Sequence, residues 1–258
     1  MCGIAGIITP NARNYAEKIQ KMTDAIAHRG PDAAQHEFYE NAALGHRRLS
    51  IIDLSETGKQ PMFSNSKKEC IVLNGEIYGY QNLKQKYSDY PYRGTSDTEV
   101  ILAMYQAKGQ NILEELPGMF ALAIWDEEKQ ELFCARDRLR KKPFYYAIGK
   151  NGEFIFASEI KAILASGLLK PIVNQEAISH FLQYGYVNAQ QSIYSNIFTL
   201  PPAYSMVYAQ GKNKKKRYYN LPKNDLKINL SEAKEEFSHL LKNAVEKQLI
   251  ADVEVGSF

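Results

Sequence analysis

The chain opens with MCGIAGII (residues 1–8), a run of small and apolar residues that predicts a β-strand beginning almost at the chain end. Because the second residue is small, an aminopeptidase can remove Met1 and leave Cys2 as the first residue. A terminal cysteine carries a thiol of pKa about 8.5 and an α-amine of pKa about 7.7–8.0. The amine can therefore accept the thiol proton near neutral pH, which makes Cys2 a candidate nucleophile that needs no histidine base. The alternative is that Cys2 is only a small second residue without a chemical role.

Apolar periodicity predicts the elements that follow this first strand. Strands are predicted at residues 42–48, 70–73, 194–198 and 203–208. Hairpins are predicted for 120–125 with 131–136 and for 144–147 with 154–157. Helices are predicted at 15–26, 99–107, 176–184 and 231–250, with Asp97 or Thr98 as the cap of the second helix. Residues 251–258 have the pattern of a strand that has just begun.

Bulk properties describe an ordinary globular chain. Its 258 residues suffice for one large domain, or for one domain and part of a second, and 45% of them are hydrophobic and 24% charged. The net charge of +3 is too small to indicate a nucleic-acid or membrane partner, and no apolar run is long enough to span a bilayer. The N-terminus lacks the basic region of a secretory signal. Three cysteines fit a reducing compartment, so we expect a cytoplasmic protein.

Several polar positions offer chemistry, each with a plainer alternative. Asn74, Gly75 and Glu76 close a predicted strand, where a side-chain amide and an adjacent N–H can stabilise an oxyanion, although Asn-Gly is also the commonest hairpin turn. Arg48 can hold a carboxylate in a bidentate manner, or it can form a surface salt bridge. Asp97 can bind an ammonium group, or it can simply cap the helix that it precedes.

The remaining polar features favour structural roles. HRGPD (residues 28–32) is predicted to be a loop, either a lid over a pocket or an inert helix end. The basic cluster at 212–217 indicates a solvated hairpin turn rather than an RNA or lipid site. Structural positions without metal-ligand spacing are expected for the following side chains: Arg47, Asp53, Cys70, Cys134, His180 and His239.

The motifs taken together and in order resemble the class II glutamine amidotransferases. The resemblance rests on MCGI (1–4), HRGPD (28–32), RLSIID (48–53), NGEIY (74–78) and SDTE (96–99). PGMFA (117–121), RDR with KPFYY (136–146), LPP (200–202) and the terminal helix narrow it to the glutamine-hydrolysing asparagine synthetases and close relatives. The similarity therefore extends over the whole chain.

The resemblance implies an α+β fold, the four-layer αββα sandwich of N-terminal-nucleophile hydrolases. It implies a glutaminase core at 2–167, peripheral strands, a helix and a connection at 168–230, and the start of a synthetase domain at 231–258. Cys2 would attack the glutamine amide, while the Asn74 side chain and the Gly75 N–H would form the oxyanion hole. The remaining implied substrate contacts are Arg48 on the carboxylate, Glu76 and Asp97 on the α-amine, and the main chain of Leu49, Ser50, Ile51 and Ile52.

Two departures from the family pattern carry expectations of their own. Arg140 stands where the family usually has glycine, which predicts strain if the turn requires a positive φ angle. The chain also stops before the Ser-Gly-Gly-x-Asp-Ser loop that binds ATP in the family. We therefore expect glutamine as the substrate and no cofactor in this chain, with ATP and Mg²⁺ confined to the missing synthetase domain.

The C-terminal helix adds an expectation about partners. Its apolar face lacks a partner domain, which predicts a homodimer or another association through this helix. Two alternatives for function remain open at this point. In the first, the ammonia acceptor of the longer protein is a sugar or a β-lactam precursor instead of aspartate. In the second, the chain is an inactive remnant or an interaction module.

Overall fold

The computed structural model of the chain describes residues 1–188, 191–223 and 227–256. The strands within these ranges are β1 (Gly3–Ile8), β2 (Ala33–Phe38), β3 (Ala42–Arg48), β4 (Met62–Phe63), β5 (Glu69–Glu76), β6 (Met119–Asp126), β7 (Glu131–Arg136), β8 (Tyr145–Ile148), β9 (Phe154–Ala157), β10 (Ile197–Thr199), β11 (Tyr204–Ala209) and β12 (Lys212–Arg217). The α-helices are α1 (Ala16–Asp24), α2 (Tyr80–Lys86), α3 (Asp97–Lys108), α4 (Ile160–Ala165), α5 (Gln175–Tyr184) and α6 (Leu230–Gln248).

The strands of the described ranges form two antiparallel sheets. The first sheet has the order β10-β8-β9-β1-β3-β2, and the second has the order β12-β11-β7-β6-β5-β4. In the first sheet β1 lies between β9 and β3, so that Ala5 is paired with both Ala157 and Gly45. The start of the chain is therefore a central strand, fixed by hydrogen bonds on both sides. Cys2 directly precedes it.

Apolar cores between successive layers produce the αββα arrangement. On the outer face of the first sheet, Ile19 of α1 packs in one core with Ile7 of β1. A second core, which includes Trp125 of β6, fills the space between the two sheets. On the outer face of the second sheet, Ile101 of α3 packs in a core with Leu122 of β6. The four-layer α+β sandwich that the resemblance implies is confirmed.

Most predicted elements form close to their expected positions, and the exceptions are informative. Asn74 and Gly75 are not a turn, because β5 continues through them and pairs them with Ala121 and Phe120 of β6. Helix α3 is capped by the Ser96 side chain, which accepts a hydrogen bond from the Thr98 N–H, and not by Asp97 or Thr98.

The basic cluster at 212–217 is a strand and not a hairpin turn. It forms β12, an exposed edge strand that pairs with β11 from Tyr204 opposite Arg217 to Ala209 opposite Lys212. The turn itself lies at Gln210 and Gly211, which both have positive φ angles of 50° and 75°. The sequence pattern did not predict strand β2, because it is a half-buried edge strand with mixed composition.

Helix α6 begins with a capping box between Asn229 and Glu232 and presents an apolar face to solvent. The exposed fractions of Phe237 and Leu241 are 64% and 51%, so both side chains face solvent. Toward the main body, Leu240 lines a cleft together with Tyr78 and Leu83. Among the described residues, no helix combines the length and the apolar character needed to cross a bilayer.

The strand predicted at 251–258 does not form within residues 251–256, and Ser257 and Phe258 lie outside the described residues. A strand needs the free edge of a sheet, and the main chain here is used differently. The Asp252 N–H donates to the Ile51 carbonyl (2.9 Å), so this segment is hydrogen-bonded to the loop that follows β3.

The turn after β7 adopts the conformation that the glycine pattern implied. Arg140 has a φ angle of 63°, in the left-handed region that favours glycine. The Asp137 carboxylate organises this turn by accepting hydrogen bonds from the N–H groups of Leu139, Lys141 and Lys142 at 2.9 to 3.0 Å. Arg140 therefore occupies a conformation that the surrounding turn imposes on it.

Candidate active site

Cys2 lies at the end of β1, beside the residue that follows β3. The Leu49 N–H donates to Cys2 Sγ at 3.4 Å, and the thiol in turn donates to the Leu49 carbonyl at 3.6 Å. Burial raises the pKa of the Cys2 thiol, and the hydrogen bond from Leu49 and the nearby N-terminal charge oppose this rise. The thiol is thus protonated at rest and needs a nearby base before it can act as a nucleophile.

A small cavity of about 110 Å³ opens beside Cys2. Its size suits a small molecule better than a nucleotide-sized ligand. It is lined by Met1, Cys2, Arg48, Leu49, Ile51, Ile52, Gly58, Gln60, Leu73, Asn74, Gly75, Glu76, Ser96, Asp97, Thr98, Met119 and Lys142. Every site residue predicted from sequence lines it except Ser50, whose N–H donates to the Asp32 carboxylate at 2.7 Å.

The Gly75 N–H points away from the neighbouring strand. Phe120, which lies opposite Gly75 in β6, has its carbonyl engaged on the β7 side by the Asp137 N–H (2.8 Å). In an antiparallel ladder, the N–H and C=O of one residue point to the same side, so Gly75 and Phe120 form a non-hydrogen-bonded pair. The Gly75 N–H is therefore directed toward the other edge of β5.

That edge of β5 is covered by side chains and not by a strand at this level. The Leu73 N–H donates to Gln60 Oε1 (2.6 Å), and the Ile77 N–H donates to Asp97 Oδ2 (2.9 Å). Since N–H groups two residues apart point the same way in a strand, the Gly75 N–H lies between these two hydrogen bonds. It opens toward the cavity, where it can donate to a ligand.

Asn74 is fully buried and its amide faces the chain terminus. In the amide orientation that satisfies both ends, Nδ2 donates to the Cys2 carbonyl (3.0 Å) and Oδ1 accepts from Arg29 Nη2 (3.3 Å). Arg29 is itself held by the Cys2 carbonyl (2.9 Å) and by the Glu159 carboxylate (2.9 Å). An amide nitrogen has two N–H groups, so a second donor remains available at the cavity.

Arg48 is a buried cation bound to main-chain carbonyls. Its guanidinium donates to the carbonyl of Ser55 (3.0 Å) and to that of Asp53. None of the ion pairs formed by the described residues includes it, so the expected alternative of a surface salt bridge is wrong. A Cβ atom at Gly58 would collide with the guanidinium, which explains the glycine. A buried guanidinium that lines a cavity without a carboxylate partner favours an anionic ligand.

Two carboxyl groups and an ammonium group give the cavity its charge pattern. Burial and the charge of Asp97 raise the pKa of Glu76 to about 7, while Lys142 opposes this rise. Burial raises the pKa of Asp97 to about 6 against the hydrogen bonds from Ile77 and Thr98. Burial, with Arg29 nearby, lowers the pKa of Lys142. Two carboxyl groups and the Arg48 guanidinium in one cavity match a zwitterion such as an amino acid.

Sequence reasoning missed two of the polar side chains that line the cavity. Gln60 bridges the Leu73 N–H and the Thr98 hydroxyl (3.1 Å), and no local pattern marks it. Lys142 lies within a recognised motif, but nothing in that motif marks its Nζ, which donates to the Met1 sulfur at 3.0 Å, as part of the cavity. The described part of the chain contains no cluster of three or more His, Cys, Asp or Glu side chains that could hold a metal ion.

A cysteine at the head of a central strand in an αββα sandwich is the arrangement typical of the class II glutamine amidotransferases. The glutamine phosphoribosylpyrophosphate amidotransferase of Bacillus subtilis shares this fold, with a TM-score of 0.63 and 18% identity over 84% of this chain and 49% of that one. Residues 1–219 match the glutamine amidotransferase domain family, and the chain belongs to it.

Several relatives of similar sequence are named as glutamine-hydrolysing asparagine synthetases. A Methanocaldococcus jannaschii protein assigned by name to the glutamine-hydrolysing asparagine synthetases is 40% identical over 280 aligned positions, which cover 100% of this chain and 54% of that protein. The glutamine-hydrolysing asparagine synthetase 3 of Bacillus subtilis is 33% identical, covering 100% of this chain and 43% of its own length. The chain thus spans about half the length of these curated relatives.

Proposed function

We propose that the chain hydrolyses glutamine to glutamate and ammonia through a thioester on Cys2. The observation that carries this proposal is convergence: the Cys2 thiol, the Asn74 amide and the outward-pointing Gly75 N–H all line one small cavity. Nucleophilic attack on an amide needs a thiolate and two donors for the developing oxyanion. These three groups supply both requirements.

The charged groups of the cavity support an amino-acid substrate. Arg48 would bind the α-carboxylate of glutamine, because it is buried and donates only to carbonyls at present. Glu76 and Asp97 would bind the α-ammonium, and a cation between them would lower both of their raised pKa values. Leu49, Ile51 and Ile52 would form the wall against the side chain of glutamine.

The chemical steps follow from these placements. Once Met1 has been removed, the α-amine of Cys2 takes the thiol proton, and the thiolate attacks the amide carbon of glutamine. The negative charge moves to the amide oxygen, where Asn74 and Gly75 donate hydrogen bonds to it. The α-ammonium returns its proton to the departing nitrogen, the C–N bond breaks and ammonia leaves. Water then attacks the thioester, which releases glutamate and restores the thiol.

The names of the relatives indicate how a longer enzyme would use the ammonia. We propose that the longer enzyme is a glutamine-hydrolysing asparagine synthase, in which a separate synthetase domain binds ATP and Mg²⁺ and activates aspartate. Hydrolysis of glutamine needs neither ATP nor Mg²⁺. Its nucleophile, its proton-transfer group and its oxyanion donors all belong to the chain described here. A cytoplasmic location would keep the Cys2 thiol reduced.

Release of ammonia and glutamate from glutamine by the purified chain tests the proposal, with Cys2→Ala beside it and intact-mass analysis to establish that Met1 is gone. We expect glutamate and ammonia in equal amounts from the processed chain and none from Cys2→Ala. A processed chain that binds glutamine without releasing either product would favour the interaction-module alternative.

A further inference from the structure

A short segment near the end of the described chain returns to the wall of the glutamine cavity. Helix α6 ends at Gln248, and residues 249–252, named here the strap, follow it. Ile250 packs against the core on the outer face of the second sheet, as Ile52 does. The Asp252 N–H donates to the Ile51 carbonyl (2.9 Å), and Asp252 Oδ2 accepts from the Asp53 N–H (2.7 Å). Both hydrogen bonds flank Ile52, which lines the cavity.

Asp53 is the centre of the loop that the strap contacts. Its φ angle of 54° is unfavourable for a residue with a side chain, so its conformation depends on its hydrogen bonds. Asp53 Oδ1 accepts from the Ser55 hydroxyl (2.6 Å), and Oδ2 accepts from the Thr57 hydroxyl (2.8 Å) and the Thr95 N–H (3.0 Å). The N–H of Asp53 is the group left for Asp252.

The loop has little support of its own. Between the end of β3 and β4 it contains only one short 3-10 turn, Glu56–Gly58, and Leu54 to Thr57 are exposed. Yet its carbonyls at Ile52, Asp53 and Ser55 hold the Arg48 guanidinium. A loop with few buried contacts is ordered by the specific hydrogen bonds that reach it from elsewhere. The two from Asp252 hold the segment that connects the cavity wall to the Arg48 carbonyls.

We propose that Asp252 is a positioning residue for glutamine binding, which holds the loop at Ile51–Asp53 in the shape that aims Arg48 at the substrate carboxylate. This inference rests on the proposed function. The linkage is reciprocal: glutamine that requires the ordered loop also tightens the strap, and with it the end of α6. Occupancy of the pocket is thereby communicated to the helix.

The test compares Asp252→Ala with Asp252→Asn and with Glu254→Ala, an exposed carboxylate two residues further on. A carboxylate hydrogen bond to a main-chain N–H has the strength to change affinity roughly tenfold. We expect Asp252→Ala to raise the KM for glutamine roughly tenfold with kcat changed less than about twofold. Asp252→Asn keeps an oxygen acceptor and should restore the wild-type KM, and Glu254→Ala should leave it unchanged.

A second measurement separates the strap from the chemistry. Hydrogen exchange of the Asp53 amide, followed without glutamine, should accelerate in Asp252→Ala and remain slow in Asp252→Asn and Glu254→Ala. The exchange rate can be measured even if the wild-type chain releases no ammonia. In that case the proposed function would be contradicted, whereas the role of Asp252 in ordering the loop would still be tested. Unchanged Asp53 exchange in Asp252→Ala, or an unchanged KM despite faster exchange, would overturn the positioning role. So would a loss confined to kcat.

Discussion

At the scale of single residues, Glu76 and Asp97 form the most unusual pair of the cavity. Asp97 is buried and Glu76 half-buried, and the charge of Asp97 adds to the burial that raises the pKa of Glu76. Lys142 is the cation that faces Glu76 from the β7–β8 connection, and its own pKa is lowered by burial. The free pocket therefore holds protons that it must release when it binds an ammonium group, so glutamine binding is linked to pH.

The expected result of this linkage is weaker glutamine binding in acid. The pKa of Glu76 is about 7 and that of Asp97 about 6, so Glu76 loses its negative charge first as the pH falls. Between pH 7.5 and pH 6 the Kd should rise roughly tenfold, because each unit below the pKa costs up to a factor of ten for one linked proton. Calorimetric titration of glutamine into Cys2→Ala measures this without turnover.

The matched control adds Glu76→Gln to Cys2→Ala. This double variant should bind glutamine more weakly at pH 7.5 and show a flatter pH profile down to about pH 6.5, since only Asp97 still titrates. Equal pH slopes in the two variants would assign the proton to another group and contradict the role of Glu76.

At the scale of elements, local pattern and tertiary pairing contribute differently. The β6–β7 hairpin was predictable because two short apolar runs flank the polar turn at 126–129. The turn considered for Asn74-Gly75 was wrong, because pairing with β6 overrides the turn preference of the dipeptide. Strand β12 has six polar residues and exists only through its pairing with β11. Of the site, the motif residues were predictable, whereas Gln60 was not, because its partner Thr98 lies 38 positions away.

The turn after β7 allows a stability prediction at this scale. Arg140 has a φ angle of 63° and lies near the buried Arg136. Burial is the main cause that lowers the pKa of Arg136, and the positive charge of Arg140 is the second. Arg140→Gly removes the conformational strain and the like charge together. We expect the free energy of unfolding to increase by about 1 kcal/mol, which raises the Tm by about 2–4 °C in a domain of this size.

Lys141→Gly is the control for this change, since it removes the same charge one residue further along, at an exposed position outside the positive-φ group. It should leave the Tm unchanged or lower it, because glycine there only adds freedom to the unfolded chain. Differential scanning calorimetry distinguishes the two variants. A Tm for Arg140→Gly at or below that of the wild type would show that the turn bears no strain.

At the scale of the whole molecule, the αββα body and α6 differ in how they are held. The body is built around three apolar cores, whereas α6 has no buried residue among its nineteen. The helix touches the body through the cleft at Leu240 and through the strap that follows it. Its apolar face remains a surface of the kind that drives association between chains.

We predict that the isolated chain self-associates through this face. Phe237→Glu combined with Leu241→Glu places two charges in its centre and should shift the chain toward a monomer in size-exclusion chromatography with light scattering. Ser231→Glu combined with His239→Glu adds the same charges at exposed positions off the apolar face, and should leave the association intact. A wild-type chain that is monomeric at all accessible concentrations would refute the prediction.

The edges of the two sheets bear on what form such an association takes. A free strand edge is a template on which another chain can add a strand, and repeated addition leads to fibrils. Here β4 and β10, at two edges, are only two and three residues long. The long edge β12 carries Lys212, Lys214, Lys215, Lys216 and Arg217, whose mutual repulsion disfavours alignment of a second copy. At these three of the four sheet edges, contacts between copies are thereby directed away from open-ended strand stacking.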